Sequence, residues 1–280
     1  MTTLQDHVAL VTGAASGIGR ATSIGLAREG ARVALLVRSA GRGEQAMRDV
    51  RVSVPDATLE VLECDLASQA AIRDAAGRFM AGHDRLDILV NAAGVFVKNR
   101  TLTADGTELT FATNYLAYFL LTRELLPLLE RSAPARVVNL ASRYGRAKID
   151  FDDLQKLRSS YSYLKSTPAT MLARVLFTQE LARRLDGTGV VVNAVHPGLV
   201  AKTGLLKDTR GPFKWFTDTF GGTPEKGADT VLWLAGAPKT ARVTGKMFAK
   251  RKEIRTPGQG SDPAAGKRLW EESEKLTGPA

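Results

Sequence analysis

The sequence predicts an α/β protein built on a doubly wound parallel β-sheet flanked by helices, and three observations carry that expectation. Short apolar runs recur along the chain, as they do where strands are buried on both faces. Stretches with helical apolar spacing separate them. A glycine-rich turn joins the first such strand to the first such helix, which gives the βαβ order of parallel sheets. With 280 residues, 44% of them hydrophobic, the chain can bury a sizeable core, and a single domain spanning 1–280 is expected.

The elements follow in order. Val8 to Val11 form an apolar run suited to a buried strand, and Thr12 to Gly19 supply a turn. Ile18, Ala21, Ile24, Gly25 and Leu26 then recur at helical spacing until Gly30 stops the helix, and Val33 to Val37 begin the next strand. Further strands are predicted at Thr58 to Leu62, Leu86 to Asn91, Arg136 to Leu140 and Val190 to Val195, with helical patterns between them. Residues 256–280, rich in Gly, Pro and charge at their start, read as a surface tail ending in one short amphipathic helix. No internal repeat, linker or low-complexity tract interrupts this pattern.

Gly13, Gly17 and Gly19, with Ser16 and Ile18 between them, are spaced to let a backbone turn sharply and approach a pyrophosphate. The following helix would offer unpaired N–H groups and the positive end of its dipole to that anion. An ordinary tight strand-to-helix connection would use glycines in the same way; the order strand, turn, helix favours a phosphate. Just after the second strand comes Arg38, with Arg42 nearby. An acidic residue at that place would bind the ribose of NAD, whereas a guanidinium suits the 2′-phosphate of NADP(H), unless Arg38 is plain surface.

Tyr161 and Lys165 stand four residues apart in YSYLK. On a helix they would share a face, and the ammonium would favour the phenolate and lower a pKa normally about 10. Such a phenol can exchange a proton with an alcohol oxygen near neutral pH. Tyr144 and Lys148 make a second pair of this kind, disfavoured by the glycine inside it and by its place directly after a strand, while Tyr163 lacks a lysine at the required spacing. Ser142, at the end of the strand pattern ARVVNLAS, is a candidate donor to the same oxygen or simply a polar strand terminator.

Other chemistries find little support. The one cysteine, Cys64, allows no intrachain disulfide and reads as a core residue. His7, His83 and His196 form no catalytic set, and Asp150, Asp152 and Asp153 read as turn or helix caps. The formal charge of +10 is densest from Lys246 to Arg255 but lacks any nucleic-acid motif, so solvated surface is expected and no nucleic acid. The first strand follows the N-terminus almost directly and no apolar stretch is long enough to span a bilayer, so a cytosolic protein without leader or integral membrane segment is expected.

Taken together, TGAASGIG at 12–19, CDL at 64–66, NAAG at 91–94, Asn114, Ser142, Tyr161, Lys165 and HPG at 196–198 resemble the short-chain dehydrogenase/reductases, over nearly the whole chain. HPG, LLTRELLPLL, LFTQELARRL and GKRLWEESEKLTG are most similar to its branch of retinol dehydrogenases and WW-domain oxidoreductases, several of which carry an N-terminal anchor. The resemblance implies a Rossmann fold and places Asp65 and Leu66 by the adenine. Asn91, Ala92 and Gly94 would then lie beneath the cofactor, and Pro197, Gly198 and Val200 near its nicotinamide. It implies that Ser142 and Tyr161 meet the substrate oxygen, that Lys165 holds the nicotinamide ribose, and that Asn114 positions a water in a proton relay.

Residues 143–160 form an insertion bordering the substrate entrance in this resemblance, and 203–222 a lid whose Leu205, Leu206, Phe213, Trp215, Phe216 and Phe220 either face an apolar substrate or cap the core. Lys202 stands where the family often has Thr or Ser, with Thr203 one position later. Two readings follow. One is an NADP(H)-dependent oxidoreductase acting on a small apolar carbonyl or alcohol; the other is a catalytically weak NADP(H)-binding module acting in redox-sensitive protein interaction. The apolar segments Tyr115 to Leu129 and Leu172 to Leu185 would serve a homo-oligomer interface or the core equally well.

Overall fold

The chain alternates strands with helical segments up to a short hairpin near its C-terminus. The computed structural model describes residues 3–143, 147–201, 221–256 and 258–278. Strand β1 (Val8–Thr12) leads into α1 (Gly17–Arg28), followed by β2 (Arg32–Val37), α2 (Ala40–Ser53), β3 (Leu59–Glu63), α3 (Gln69–Gly82) and β4 (Ile88–Asn91). A short turn α4 (Leu109–Phe111) runs through a π-helical stretch, Ala112–Leu116, into α5 (Ala117–Arg131). Then come β5 (Ala135–Leu140), α6 (Tyr163–Arg184), β6 (Val190–Val195), α7 (Pro224–Gly236), β7 (Met247–Ala249), β8 (Lys252–Glu253) and α8 (Pro263–Thr277).

The eight strands form one sheet in the order β3-β2-β1-β4-β5-β6-β7-β8. All neighbours run parallel except β7 and β8. This is the doubly wound architecture the apolar runs predicted, since β1, β4 and β6 are buried along their whole length. The strand order reverses between β1 and β4. In such sheets the crevice beyond the carboxyl ends of those strands is where a ligand binds.

Helices cover both faces. On one side Leu10, Phe79, Phe119, Leu121, Leu176 and Phe177 belong to a core built with α3, α5, α6 and α8. On the other, Val11, Leu26, Leu35, Val50, Val90 and Val231 pack with α1, α2 and α7. The Tyr115–Leu129 and Leu172–Leu185 stretches spend their apolar residues inside this chain: Tyr115, Phe119, Leu121, Leu125 and Leu176 are fully enclosed.

Two segments differ from expectation. β7 and β8 were hidden in the basic stretch 246–255, where Met247 and Phe248 are buried while the cations stay outside. Lys250 and Arg251 adopt positive φ (50° and 59°) to turn the hairpin, and Arg251 donates to the Asp229 carboxylate. The C-terminal stretch is not a mere surface tail either. Trp270 of α8 packs edge-on against Phe119 at 4.9 Å between centroids and lies under the Arg184 guanidinium. Cys64 and Asp153 of the insertion, by contrast, agree with expectation: the thiol is enclosed, and Asp153 accepts from the amides of Leu157, Arg158 and Ser159.

Candidate active site

At the carboxyl end of β1, Thr12 turns its hydroxyl sideways to accept from the amides of Ala92 and Ala93, both at 2.9–3.0 Å. This fastens the glycine turn to the loop after β4. Gly13, at φ +67°, passes so close that an added Cβ would sit 2.9 Å from the Ala93 Cα, and a Cβ on Gly19 would overlap the Gly13 carbonyl oxygen. Gly17 also has positive φ. Ser16, exposed, caps α1 without a side-chain hydrogen bond, and no acidic residue lies in the first turn, so the first amides of the helix are left for an anion. Ile18 lies half-buried beside them.

These features fit the pyrophosphate of a dinucleotide. Bare backbone, an open helix N-terminus and positive φ are what close approach of a phosphate requires. Arg38 and Arg42 are exposed just past β2, with no ion-pair partner among the described residues. Asp65 follows β3 and is exposed, with Leu66 buried next to it.

Under the loop, Asn91 is fully enclosed and heads a polar chain: its amide donates to Thr122 and Asn139, and Asn139 donates to Thr178. The chain stiffens the floor of the crevice from β4 through β5 to α6. Ala92 and Gly94 line it, half-buried. Asn114, in the π-helical stretch, clamps the same loop by accepting from Val95 N at 2.7 Å and donating to Val95 O at 2.9 Å.

The phenol and its ammonium neighbour are placed differently from expectation. Helix α6 begins at Tyr163, and Ser162 before it is extended (φ −142°, ψ 116°), so Tyr161 precedes the helix and shares no helical face with Lys165. The Tyr161 hydroxyl bonds Thr110 Oγ1 at 2.8 Å and donates to the Val97 carbonyl at 2.9 Å. Its pKa is raised, first by burial and also by the Glu108 charge, against the lowering from the Thr110 bond. The ammonium of Lys165 is exposed and makes no bond to the phenol. Ser142 is half-buried beyond the end of β5, and its hydroxyl has no described partner. No hydrogen bond among the described residues joins Ser142, Tyr161 and Lys165.

Beyond β6, Pro197 and Gly198 turn the chain, Gly198 at φ +79°, and Val200 pairs with Gly222. His196 is largely enclosed with its Nδ1 unpartnered, and burial, aided by the nearby Arg143 charge, holds its pKa below the ordinary value. Tyr144, Lys202 and the 203–220 part of the predicted lid lie outside the described residues.

The sequence reading missed Thr12, Thr110 and, above all, Arg174. This arginine is 3% exposed, and its guanidinium donates to the carbonyls of Ala93, Leu140 and Asn114 while lying 4.0 Å from the Tyr118 ring centroid. Only an arginine inside the otherwise apolar MLARVLF run signalled it. Among the described residues no group of metal-binding side chains occurs, and no helix is long and apolar enough to cross a membrane.

Known proteins resemble this chain in sequence and in fold. The family model described as short chain dehydrogenase matches residues 7–212. Retinol dehydrogenase 14 of Mus musculus is 40% identical over 98% of this chain and 87% of its own, and retinol dehydrogenase 13 of Homo sapiens is 39% identical over 99% and 86%. Among solved structures, an uncharacterised protein from Mycobacterium paratuberculosis superposes with a TM-score of 0.80 at 30% identity, covering 99% of this chain and 95% of that one. A short chain dehydrogenase from Burkholderia cenocepacia in complex with NADP superposes at 0.69 with 27% identity, over 88% and 96%. With the cradle, the strand order and these relatives in agreement, the chain belongs to the short-chain dehydrogenase family of oxidoreductases, in its retinol dehydrogenase-like branch.

Proposed function

We propose that this chain binds NADP(H) and interconverts a lipophilic alcohol with its aldehyde or ketone, with Tyr161 as acid/base. The observation that carries the cofactor half is the glycine turn pinned by Thr12 to the loop after β4, with Arg38 at the end of β2 ready for a 2′-phosphate. Bound there, the cofactor supplies or accepts the hydride. Ser142 holds the substrate oxygen by a hydrogen bond, and Tyr161 moves a proton to or from it. For that step the phenol exchanges its bonds to Thr110 and the Val97 carbonyl for one to the substrate. The relatives named retinol dehydrogenase support a lipophilic substrate.

A second reading is favoured by a specific observation. With its phenol held elsewhere, its pKa raised and Lys165 out of contact, the chain would bind NADP(H) yet turn over slowly, acting through redox-sensitive protein interaction. NADPH oxidation across hydrophobic aldehydes and ketones separates the two. Turnover by the wild type, reduced about 100-fold or more in Tyr161→Phe with NADPH affinity kept, supports the enzyme reading. Binding without turnover of any carbonyl or alcohol leaves the module. Arg38→Ala tests the cofactor: NADPH affinity should fall about tenfold or more while NADH affinity holds, and equal changes in both would remove the NADP(H) preference.

A further inference from the structure

The buried cation at the floor of the crevice is used by neither reading. Arg174 reaches from the middle of α6 to three carbonyls on three separate segments: Leu140 at the end of β5 (3.0 Å), Ala93 in the loop after β4 (2.9 Å) and Asn114 in the π-helical stretch. Tyr118, whose ring lies beneath the guanidinium, donates to the same Ala93 carbonyl at 2.7 Å. All three acceptors stand at the carboxyl edge of the sheet, next to the point where the strand order reverses.

Its charge is not cancelled. Among the described residues no carboxylate lies within ion-pair distance of Arg174, and its partners are neutral carbonyls, a thioether (Met171 Sδ at 3.5 Å) and an aromatic face. Glu108, the buried carboxylate of this region, is taken by the amides of Thr110 and Phe111. A guanidinium stays protonated in such a place. Burying an unpaired charge costs stability, so a cation kept here without a counter-ion points to a partner that responds to charge.

A nicotinamide ring is such a partner, because it carries a positive charge when oxidised and none when reduced. Resting on the NADP(H) reading above, we propose that Arg174 makes the site discriminate between the two forms of the cofactor: its fixed positive charge at the floor of the crevice disfavours the oxidised, cationic ring and leaves the reduced, neutral ring unopposed. Water and salt screen a buried charge weakly, so the discrimination persists at high ionic strength, unlike the attraction of an exposed arginine for a phosphate.

The test is a set of equilibrium titrations. Dissociation constants for NADPH, NADP⁺ and 2′-phospho-ADP-ribose, which lacks the nicotinamide, are measured by calorimetry for the wild type, Arg174→Met and Arg174→Lys, at low and high salt. The wild type should bind NADPH at least about tenfold tighter than NADP⁺. In R174M that ratio should fall by about fivefold or more, in R174K it should stay within about twofold, and affinity for 2′-phospho-ADP-ribose should hold in both. An unchanged ratio in R174M, with both forms weakened alike, overturns the proposal and leaves Arg174 a scaffold residue. Should R174M fail to fold, R174Q is read in its place, and near-equal affinities of the wild type for the two forms overturn the proposal by themselves. Failure of the wild type to bind 2′-phospho-ADP-ribose would instead remove the NADP(H) reading.

Discussion

At the scale of single residues, the site depends on atoms that are missing as much as on those present. Gly13 needs a left-handed backbone and leaves no room for a Cβ against Ala93. Gly13→Ala should therefore lower the unfolding free energy by about 2–3 kcal/mol, from backbone strain and the displaced loop, and weaken NADPH binding. Urea unfolding and a titration check this; a loss below about 0.5 kcal/mol would show that the turn relaxes freely. Glycines of this kind are legible in a sequence because their constraint is local. Arg174 is not, since its role depends on three carbonyls brought together from positions 93, 114 and 140.

Elements show the same division. The six predicted parallel strands appear within two residues of their expected places, because continuous apolar runs leave few alternatives. β7 was invisible: three residues among cations carry no periodicity, and pairing with β6 makes them a strand. Helix α6 was predicted, but its start was not. An extended Ser162 ends the segment before Tyr161 can join the helix, and that one boundary removes the shared face on which the Tyr161–Lys165 argument relied. α8 looked peripheral in sequence, yet Trp270→Ala should cost about 3–5 kcal/mol by emptying the space beside Phe119 and Phe177. A melting temperature unchanged within about 2 °C would mean that α8 frays independently of the core.

For the whole molecule, burial sets an alkaline limit. Enclosure first, then the neighbouring Asp65 charge, pushes the Cys64 thiol up to about 12, and enclosure pushes the Tyr118 phenol up to about 12 against the lowering by Arg174. Both groups are neutral acids whose folded pKa exceeds the unfolded one, about 8.5 for cysteine and about 10 for tyrosine. Above those values the unfolded chain gives up protons that the folded chain keeps, so stability is full below about pH 8.5 and falls as pH rises toward 12. Unfolding free energies from urea titrations between pH 8 and 10.5 should decline, by at most about 1.4 kcal/mol per pH unit per group, and Cys64→Ala should remove the earliest part of the decline. A flat profile in the wild type would mean that these groups titrate alike in both states.

The sequence by itself determined the βαβ order, the six parallel strands from β1 to β6 and the tight glycine turn, since apolar periodicity and glycine's backbone freedom act within a few residues of one another. Tertiary structure alone decided where the titratable groups point. It gave the Tyr161 hydroxyl to Thr110 and Val97, left Lys165 in solvent, and seated a buried guanidinium beneath the crevice. The physical reason is that hydrogen-bond partners and burial are set by segments far apart in the chain, which no local spacing records.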